Sequence, residues 1–170
     1  MTQSATDAER LALDYLETIW NDRSYAKIPE YVSPWFVMYD PAAIDDKLPG
    51  PRGVVRGPED LETFVRGVVA GFPDFHVEVH DVFSDSELVL YAGTLSMTHT
   101  GTFCWIPPTG RTAEVRYMGA IRVADDRVSE HRVFPPLMEI AEQLGFTSPT
   151  ILPYLPKLAW AWLAHGIRSR

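Results

Sequence analysis

The sequence predicts one α+β domain, on three observations. Amphipathic helical patterns predominate as far as Gly71, broken by one extended segment and a loop, strand-like alternation recurs from Phe75 to Phe134, and 170 residues that are 46% hydrophobic supply material for one core. Helices followed by hairpin-linked strands favour a mostly antiparallel sheet over alternating βαβ units.

Taking the elements in order, Thr6 followed by Glu9 has the spacing of a capping box, and Leu13, Leu16, Ile19 and Trp20 then recur at helical intervals to about Asn21. Ser24 is placed to cap a short second helix bearing Ile28 and Tyr31. Trp35 to Tyr39 is aromatic and extended, and it ends at the turn-forming pair Asp40-Pro41. Residues 41 to 57 hold three Pro and three Gly without periodicity, which predicts a long loop beside a functional opening. Pro58 and Gly71 bracket a third helix whose buried stripe is Leu61, Phe64, Val65 and Val68. Phe75, Val77, Val79 and Val82 come close to alternating with polar residues, so a strand with one wet face follows. Further strands are predicted over 87 to 99, 111 to 123 and 127 to 134, the last after the turn Ala124-Asp125-Asp126. Asp126 occupies a position where a hairpin prefers Gly. Pro135-Pro136 stops the last strand, and Leu137 to Leu144 with Gly145 behind it closes the domain as a short helix.

Domain boundaries fall at 1 to 147 for this unit and 148 to 170 for a hydrophobic helical extension. In that extension Leu155, Leu158, Ala159, Trp162 and Leu163 form an apolar helical stripe. The stripe suits packing on the domain or on a second subunit, or a lid over a pocket; its few basic residues disfavour a membrane-surface helix.

Composition narrows the partners. The formal charge of −8, with no basic run, repels a nucleic-acid backbone. A lone Cys104 and a polar, acidic N-terminus predict a reducing cytoplasmic address, and Pro and charged residues interrupt every apolar run that could span a membrane. No Ser-centred elbow, phosphate-binding Gly loop or nucleotide fingerprint is present.

Particular residues then carry a family likeness. Trp20-Asn21, Tyr39-Asp40-Pro41, Gly57-Pro58-Glu59, Phe72-Pro73-Asp74, the stretch THTGTFCWIPPTGR from 98 to 111, and Val128-Ser129-Glu130-His131 stand in an order and spacing that resemble SnoaL-like polyketide cyclases over roughly residues 8 to 146. The long stretch turns at Gly101 and reverses rigidly through Ile106-Pro107-Pro108-Thr109-Gly110, so it specifies backbone shape more than chemistry. The resemblance implies a cone-shaped curved sheet closed by N-terminal helices, as in the nuclear transport factor 2-like superfamily. It also implies aldol-type acid/base catalysis on a polyketide-like carbonyl compound without metal or organic cofactor, and a homodimer formed through the outer sheet face. In the family's cyclases a catalytic Asp is placed at the position of His131, with an assisting His fourteen residues earlier, where this chain has Tyr117.

Those two departures define the candidate site. His131 can donate and accept a proton near neutral pH, and serves as proton shuttle or as a hydrogen-bonded structural histidine. Tyr117 shares its strand face with Val115 and Gly119; its phenol can polarise a carbonyl while Gly119 leaves room for substrate, or it simply fills the core. His99 and Asp40 complete the catalytic candidates, each with a structural alternative at a strand end or a turn. Trp20, Trp35, Tyr39, Phe64, Phe72 and Phe103, with Val115 and Gly119, are the expected substrate-binding residues; the aromatics among them suit a flat or polycyclic ligand or a plain core. Glu130 is expected on the opposite face to His131. His76, Glu78 and His80 share a face that is better explained as solvated than as a metal site. Cys104, between Phe103 and Trp105, is assigned no role.

The expected function is therefore a cofactor-independent cyclase or isomerase. Its rivals are an epoxide hydrolase or lyase that pairs Asp40 with Arg116 in the cavity, and a non-catalytic binding protein.

Overall fold

The computed structural model describes residues 7–44, 47–147 and 152–168. Helix α1 (Asp7–Tyr15) loosens into a π-helical stretch, Leu16–Asn21, so the first helix reaches Asn21 as the periodicity predicts. The capping pair at its start involves Thr6, which lies outside the described residues. Ser24 makes no side-chain cap; the chain passes through a 3₁₀ turn, Tyr25–Lys27, into α2 (Ile28–Tyr31). Strand β1 (Val32–Tyr39) follows, and the expected loop contains a short strand, β2 (Val54–Arg56), which its Pro- and Gly-rich flanks conceal. Helix α3 (Gly57–Gly71) buries the predicted stripe Leu61, Phe64, Val65 and Val68. Strands β3 (His76–Asp85), β4 (Leu88–Thr98), β5 (Thr112–Ala124) and β6 (Arg127–Phe134) fall within a residue or so of prediction at most ends, and β3 runs further, to Asp85. The turn before β6 is made by two aspartates at positive φ, Asp125 and Asp126, where an Asp tolerates the left-handed region better than most residues do. Helix α4 (Leu137–Gln143) closes the domain and α5 (Leu155–Arg168) forms the extension.

The six strands make one curved, open sheet in the order β2-β1-β6-β5-β4-β3. All pairs are antiparallel except β1 with β6. Register breaks in β1, β3 and β6 bend the strands, as extra residues in a ladder do. The core occupies the concave side: Ala12, Tyr15, Leu16, Ile19 and Trp20 from the first helix and the α3 stripe cover alternate residues of β4 and β5. The convex side presents large apolar side chains to solvent, among them Phe83, Met118 and Phe134.

The 98–111 stretch sets shape, as its composition implies. His99 N–H donates to Arg111 C=O, and Gly110 N–H returns a bond to His99 C=O. A side chain at Gly101 would collide with Ala70 C=O at 1.8 Å, so only glycine lets the loop dock against the end of α3. In the extension, Tyr154 donates its hydroxyl to Thr109 C=O at 3.2 Å. Helix α5 faces this loop with Pro156, Trp160, Ala161 and Ala164 across a shallow pocket, and the expected stripe leaves Leu155, Trp162 and Leu163 exposed. Leu158, in the middle of the stripe, is half-buried. No described helix is long and apolar enough to cross a membrane.

Candidate active site

The concave side encloses a cavity of about 190 Å³ between the sheet, the first helix, α3 and α4. Its wall is almost wholly apolar, with Trp20, Phe64, Phe72, Phe75, Leu95 and Phe103 prominent. Four polar side chains interrupt it: Asp40, Tyr91, Tyr117 and His131.

His131 reaches the interior through a bulge. Along β5 and β6, Arg122 opposes Glu130 while Val123 opposes Val128, so Ser129 is the extra residue. Its hydroxyl donates to Arg122 C=O at 3.1 Å and holds the bulge. Without that insertion Val128 and His131 would face opposite sides; with it both are buried, and Glu130 turns outward to pair with Arg132 at 2.7 Å.

Both imidazole nitrogens of His131 are engaged. Nε2 lies 2.7 Å from the Tyr91 hydroxyl and Nδ1 lies 3.3 Å from the Tyr15 hydroxyl, which accepts the Trp20 indole N–H at 3.3 Å. Complete burial holds the His131 pKa down to about 3, so the ring is neutral at physiological pH. Burial raises Tyr91 well above the usual phenol range, with the neighbouring phenols Tyr117 and Tyr15 adding to it. Tyr117 is raised by burial as well. Its ring meets Tyr91 edge to face, centroids 5.6 Å apart, and its buried hydroxyl has no hydrogen-bond partner. An unmatched buried hydroxyl costs about 1–3 kcal/mol, a cost that a bound acceptor would remove.

Asp40 supplies the charge. Alternation along β1 sends Phe36, Met38 and Asp40 inward. One carboxylate oxygen accepts the Ala42 N–H at 2.8 Å, which is the turn expected before Pro41. Burial outweighs that bond and pushes the carboxyl up to about 6. Turn formation and a cavity-lining acid are thus two properties of one residue.

Several expectations are corrected. Trp35 and Tyr39 alternate outward and are 61% and 41% exposed, so neither lines the cavity; Tyr39 instead lies under the Arg132 guanidinium at 5.3 Å. Val115 faces inward but packs in the core away from the cavity wall. Gly119 leaves space for Tyr91, not for a substrate: a Cβ there would sit 2.3 Å from the Tyr91 hydroxyl. His99 does not join His131 and Tyr117. It is sandwiched between Phe72 at 5.0 Å and Phe146 at 5.6 Å, its Nδ1 at 3.4 Å from the Thr109 hydroxyl and its Nε2 unpartnered. Arg116 is exposed and does not line this cavity; it shares only a wider outer pocket with Asp40, so the Asp–Arg pair that epoxide hydrolysis would need does not meet inside the cavity. His76, Glu78 and His80 are exposed, and His80 bonds the Thr94 hydroxyl at 2.8 Å. Among the described residues no three potential ligands gather for a metal ion.

Tyr15 and Tyr91 were not among the expected site residues, although the signal is present in each pattern. Tyr15 stands three residues after Ala12 and four before Ile19 on the buried helix face, and Tyr91 shares the buried face of β4 with Val89, Leu95 and Met97.

The family model described as SnoaL-like polyketide cyclase matches residues 10–144. This chain belongs to the SnoaL-like polyketide cyclase family. Among solved structures, IdmH of Streptomyces antibioticus, provisionally named a polyketide cyclase, is 26% identical with a TM-score of 0.70; the match covers 82% of this chain and 99% of that one. A provisionally named SnoaL-like polyketide cyclase of Jannaschia sp. CCS1 is 22% identical over 85% and 95% of the two chains, TM-score 0.70. AclR of Streptomyces galilaeus, provisionally named a hydroxylase, is 24% identical over 85% and 99%, TM-score 0.66. Curated protein sequences offer no match. The six-stranded cone and its helices are thus the family's architecture, and a cyclase-type role comes with it.

Proposed function

We propose that this SnoaL-like protein catalyses proton transfer on a small, hydrophobic, enolisable carbonyl compound, leading to ring closure or isomerisation. The observation that carries this reading is Asp40: a buried carboxyl with its pKa raised to about 6 in an otherwise apolar cavity. A base poised near the working pH is both largely ionised and strong enough to remove a proton alpha to a carbonyl. Tyr117 supports the reading by offering an unpartnered hydroxyl at the same wall, suited to the negative charge that grows on the carbonyl oxygen.

In this scheme the Asp40 carboxylate takes the α-proton, and the C–H electron pair moves into the enolate. The enolate carbon then either attacks a second carbonyl of the same molecule, closing a ring whose alkoxide takes a proton back from Asp40, or is reprotonated elsewhere for isomerisation. Asp40 ends as the carboxylate it began as, the α-proton ends on the new hydroxyl or the new carbon, and no external oxidant or reductant enters. His131, whose pKa lies near 3, is a poor proton carrier here; it acts as a neutral hydrogen-bonding hub.

Cavity size points to a smaller substrate than the aromatic content of the sequence implies. A cavity of about 150 Å³ takes up benzene, so 190 Å³ suits one substituted ring and not a polycycle. The non-catalytic binding alternative is disfavoured by the buried carboxyl, which a passive carrier of apolar compounds would be better without.

Deuterium exchange at the α-carbon of phenylacetone in D₂O, followed by proton NMR, tests the reading. Exchange should be faster with protein than without, and Asp40→Asn should slow the catalysed part at least about 100-fold. Equal catalysis by wild type and Asp40→Asn would refute it.

A further inference from the structure

The line of hydrogen bonds through His131 has a direction, and the direction assigns a role to Tyr91. Trp20 can only donate, so the Tyr15 oxygen accepts its indole N–H. Tyr15 then has one proton to place, and its other polar neighbour is His131 Nδ1. If Tyr15 donates, Nδ1 is the acceptor and the neutral ring carries its proton on Nε2, which donates to the Tyr91 oxygen at 2.7 Å. The surplus proton then sits on Tyr91, which lines the cavity.

The reverse order would have Tyr91 donate to Nε2 and Nδ1–H donate to Tyr15. Tyr15 would then accept twice and its own proton would have no acceptor. That hydroxyl is fully buried and does not face the cavity, so neither water nor substrate could relieve it. The forward order strands no proton inside the core.

Backbone geometry keeps the Tyr91 phenol in place. Tyr91 opposes Gly119 across β4 and β5, and the missing side chain at 119 is the space that the phenol oxygen fills. Two residues earlier on the same face stands Tyr117, whose hydroxyl has no partner within hydrogen-bond geometry. Tyr91 and Tyr117, close enough for each phenol to shift the other's pKa, thus share one wall of an otherwise apolar cavity.

We propose that Tyr91 and Tyr117 form a two-donor hole for a carbonyl oxygen that becomes an enolate, and that the Trp20–Tyr15–His131 line is the positioning device that keeps the Tyr91 proton turned toward it. This rests on the proton-transfer reading above and adds to it the substrate feature recognised: an oxygen that gains negative charge, flat and conjugated like an enolate or a phenolate. Burial keeps both phenols protonated across the physiological range, so both remain donors. Trp20, Tyr15 and His131 act through Tyr91 and are not themselves required to touch the substrate.

Two measurements test it. ¹⁵N NMR of imidazole-labelled wild-type protein should show His131 neutral and protonated on Nε2 from pH 5 to 8, and Tyr15→Phe should alter that tautomer signal. A ring protonated on Nδ1 in the wild type would overturn the relay without any variant having to fold. Binding of 4-nitrophenolate, read by its visible absorbance, should be measured in Asp40→Asn protein so that no buried carboxylate opposes the anion. Adding Tyr91→Phe or Tyr117→Phe should weaken binding at least tenfold, and adding Tyr15→Phe should weaken it severalfold. Absence of binding, or binding unchanged by Tyr91→Phe, would overturn the two-donor hole. Because this experiment is run without Asp40, its outcome is independent of whether Asp40 is the base, which the phenylacetone exchange decides separately.

Discussion

Two histidines are buried to the same degree in this molecule and have opposite surroundings. His131 sits at the cavity wall with both ring nitrogens bonded to phenols; His99 sits beneath the 98–111 loop between two phenyl rings, with one long bond and one bare nitrogen. Burial holds both below the ordinary histidine pKa, so titration alone does not separate a site from a packing position. Their connections do: His131 is wired to groups that reach the cavity, and His99 to the shape of a loop.

The largest expected effect breaks the first of these environments. His131→Leu removes the partner of two buried phenols and should slow phenylacetone exchange at least about 100-fold, with a stability loss of about 2–4 kcal/mol in urea titration. His99→Phe keeps the aromatic stack and removes an unmatched nitrogen; exchange should stay within about threefold of wild type and stability within about 1 kcal/mol. Equal damage at both positions would erase the distinction.

Acid unfolding sharpens it. Folded His131 resists protonation until about pH 3, whereas the unfolded residue takes a proton near 6.5, so the unfolded state binds more protons between these values and stability falls as pH falls. The full effect is on the order of 4–5 kcal/mol, and His131→Leu should lose that part of the slope. Asp40 works in the other direction. Its folded pKa of about 6 lies above the unfolded 3.8, so the folded state binds the extra proton and stability falls as pH rises from about 4 to 6. Asp40→Asn should accordingly raise stability at pH 7 by up to about 3 kcal/mol and add nothing near pH 4, as urea titrations at the two values would show.

Gly119→Ala should act on the site through Tyr91: its Cβ meets the phenol oxygen, so exchange should slow by about tenfold while the fold, followed by circular dichroism, persists. Smallest is Trp35→Ala on the convex face, expected to change stability by no more than about 0.5 kcal/mol.

The sequence made the architecture legible because each element carries its own period. The α3 stripe and the β4 and β5 alternation are local signals that tertiary packing did not override. The site was legible in part. His131, Tyr117, Asp40, Trp20, Phe64, Phe72 and Phe103, all legible as candidates, line the cavity. Trp35 and Tyr39 face outward despite their aromatic rings, because the period-two alternation that puts Phe36, Met38 and Asp40 inside puts them outside. What fills the space at Gly119 depends on strand register, which sets Tyr91 opposite it and which no single strand's sequence encodes. The bulge at Ser129 has no sequence signature beyond two polar residues between Val128 and His131, yet it decides which way His131 faces. Cavity volume is a property of all these packings together and no single segment encodes it.

The central claim is that Asp40, and not His131, moves the proton. The pH profile of protein-catalysed phenylacetone exchange tests it most directly. A single limb that rises through a midpoint near pH 6 to a plateau, and is absent from Asp40→Asn, is the expected result, since the carboxylate must be ionised to act. A profile without a midpoint near 6, or one that survives unchanged in Asp40→Asn, would contradict it.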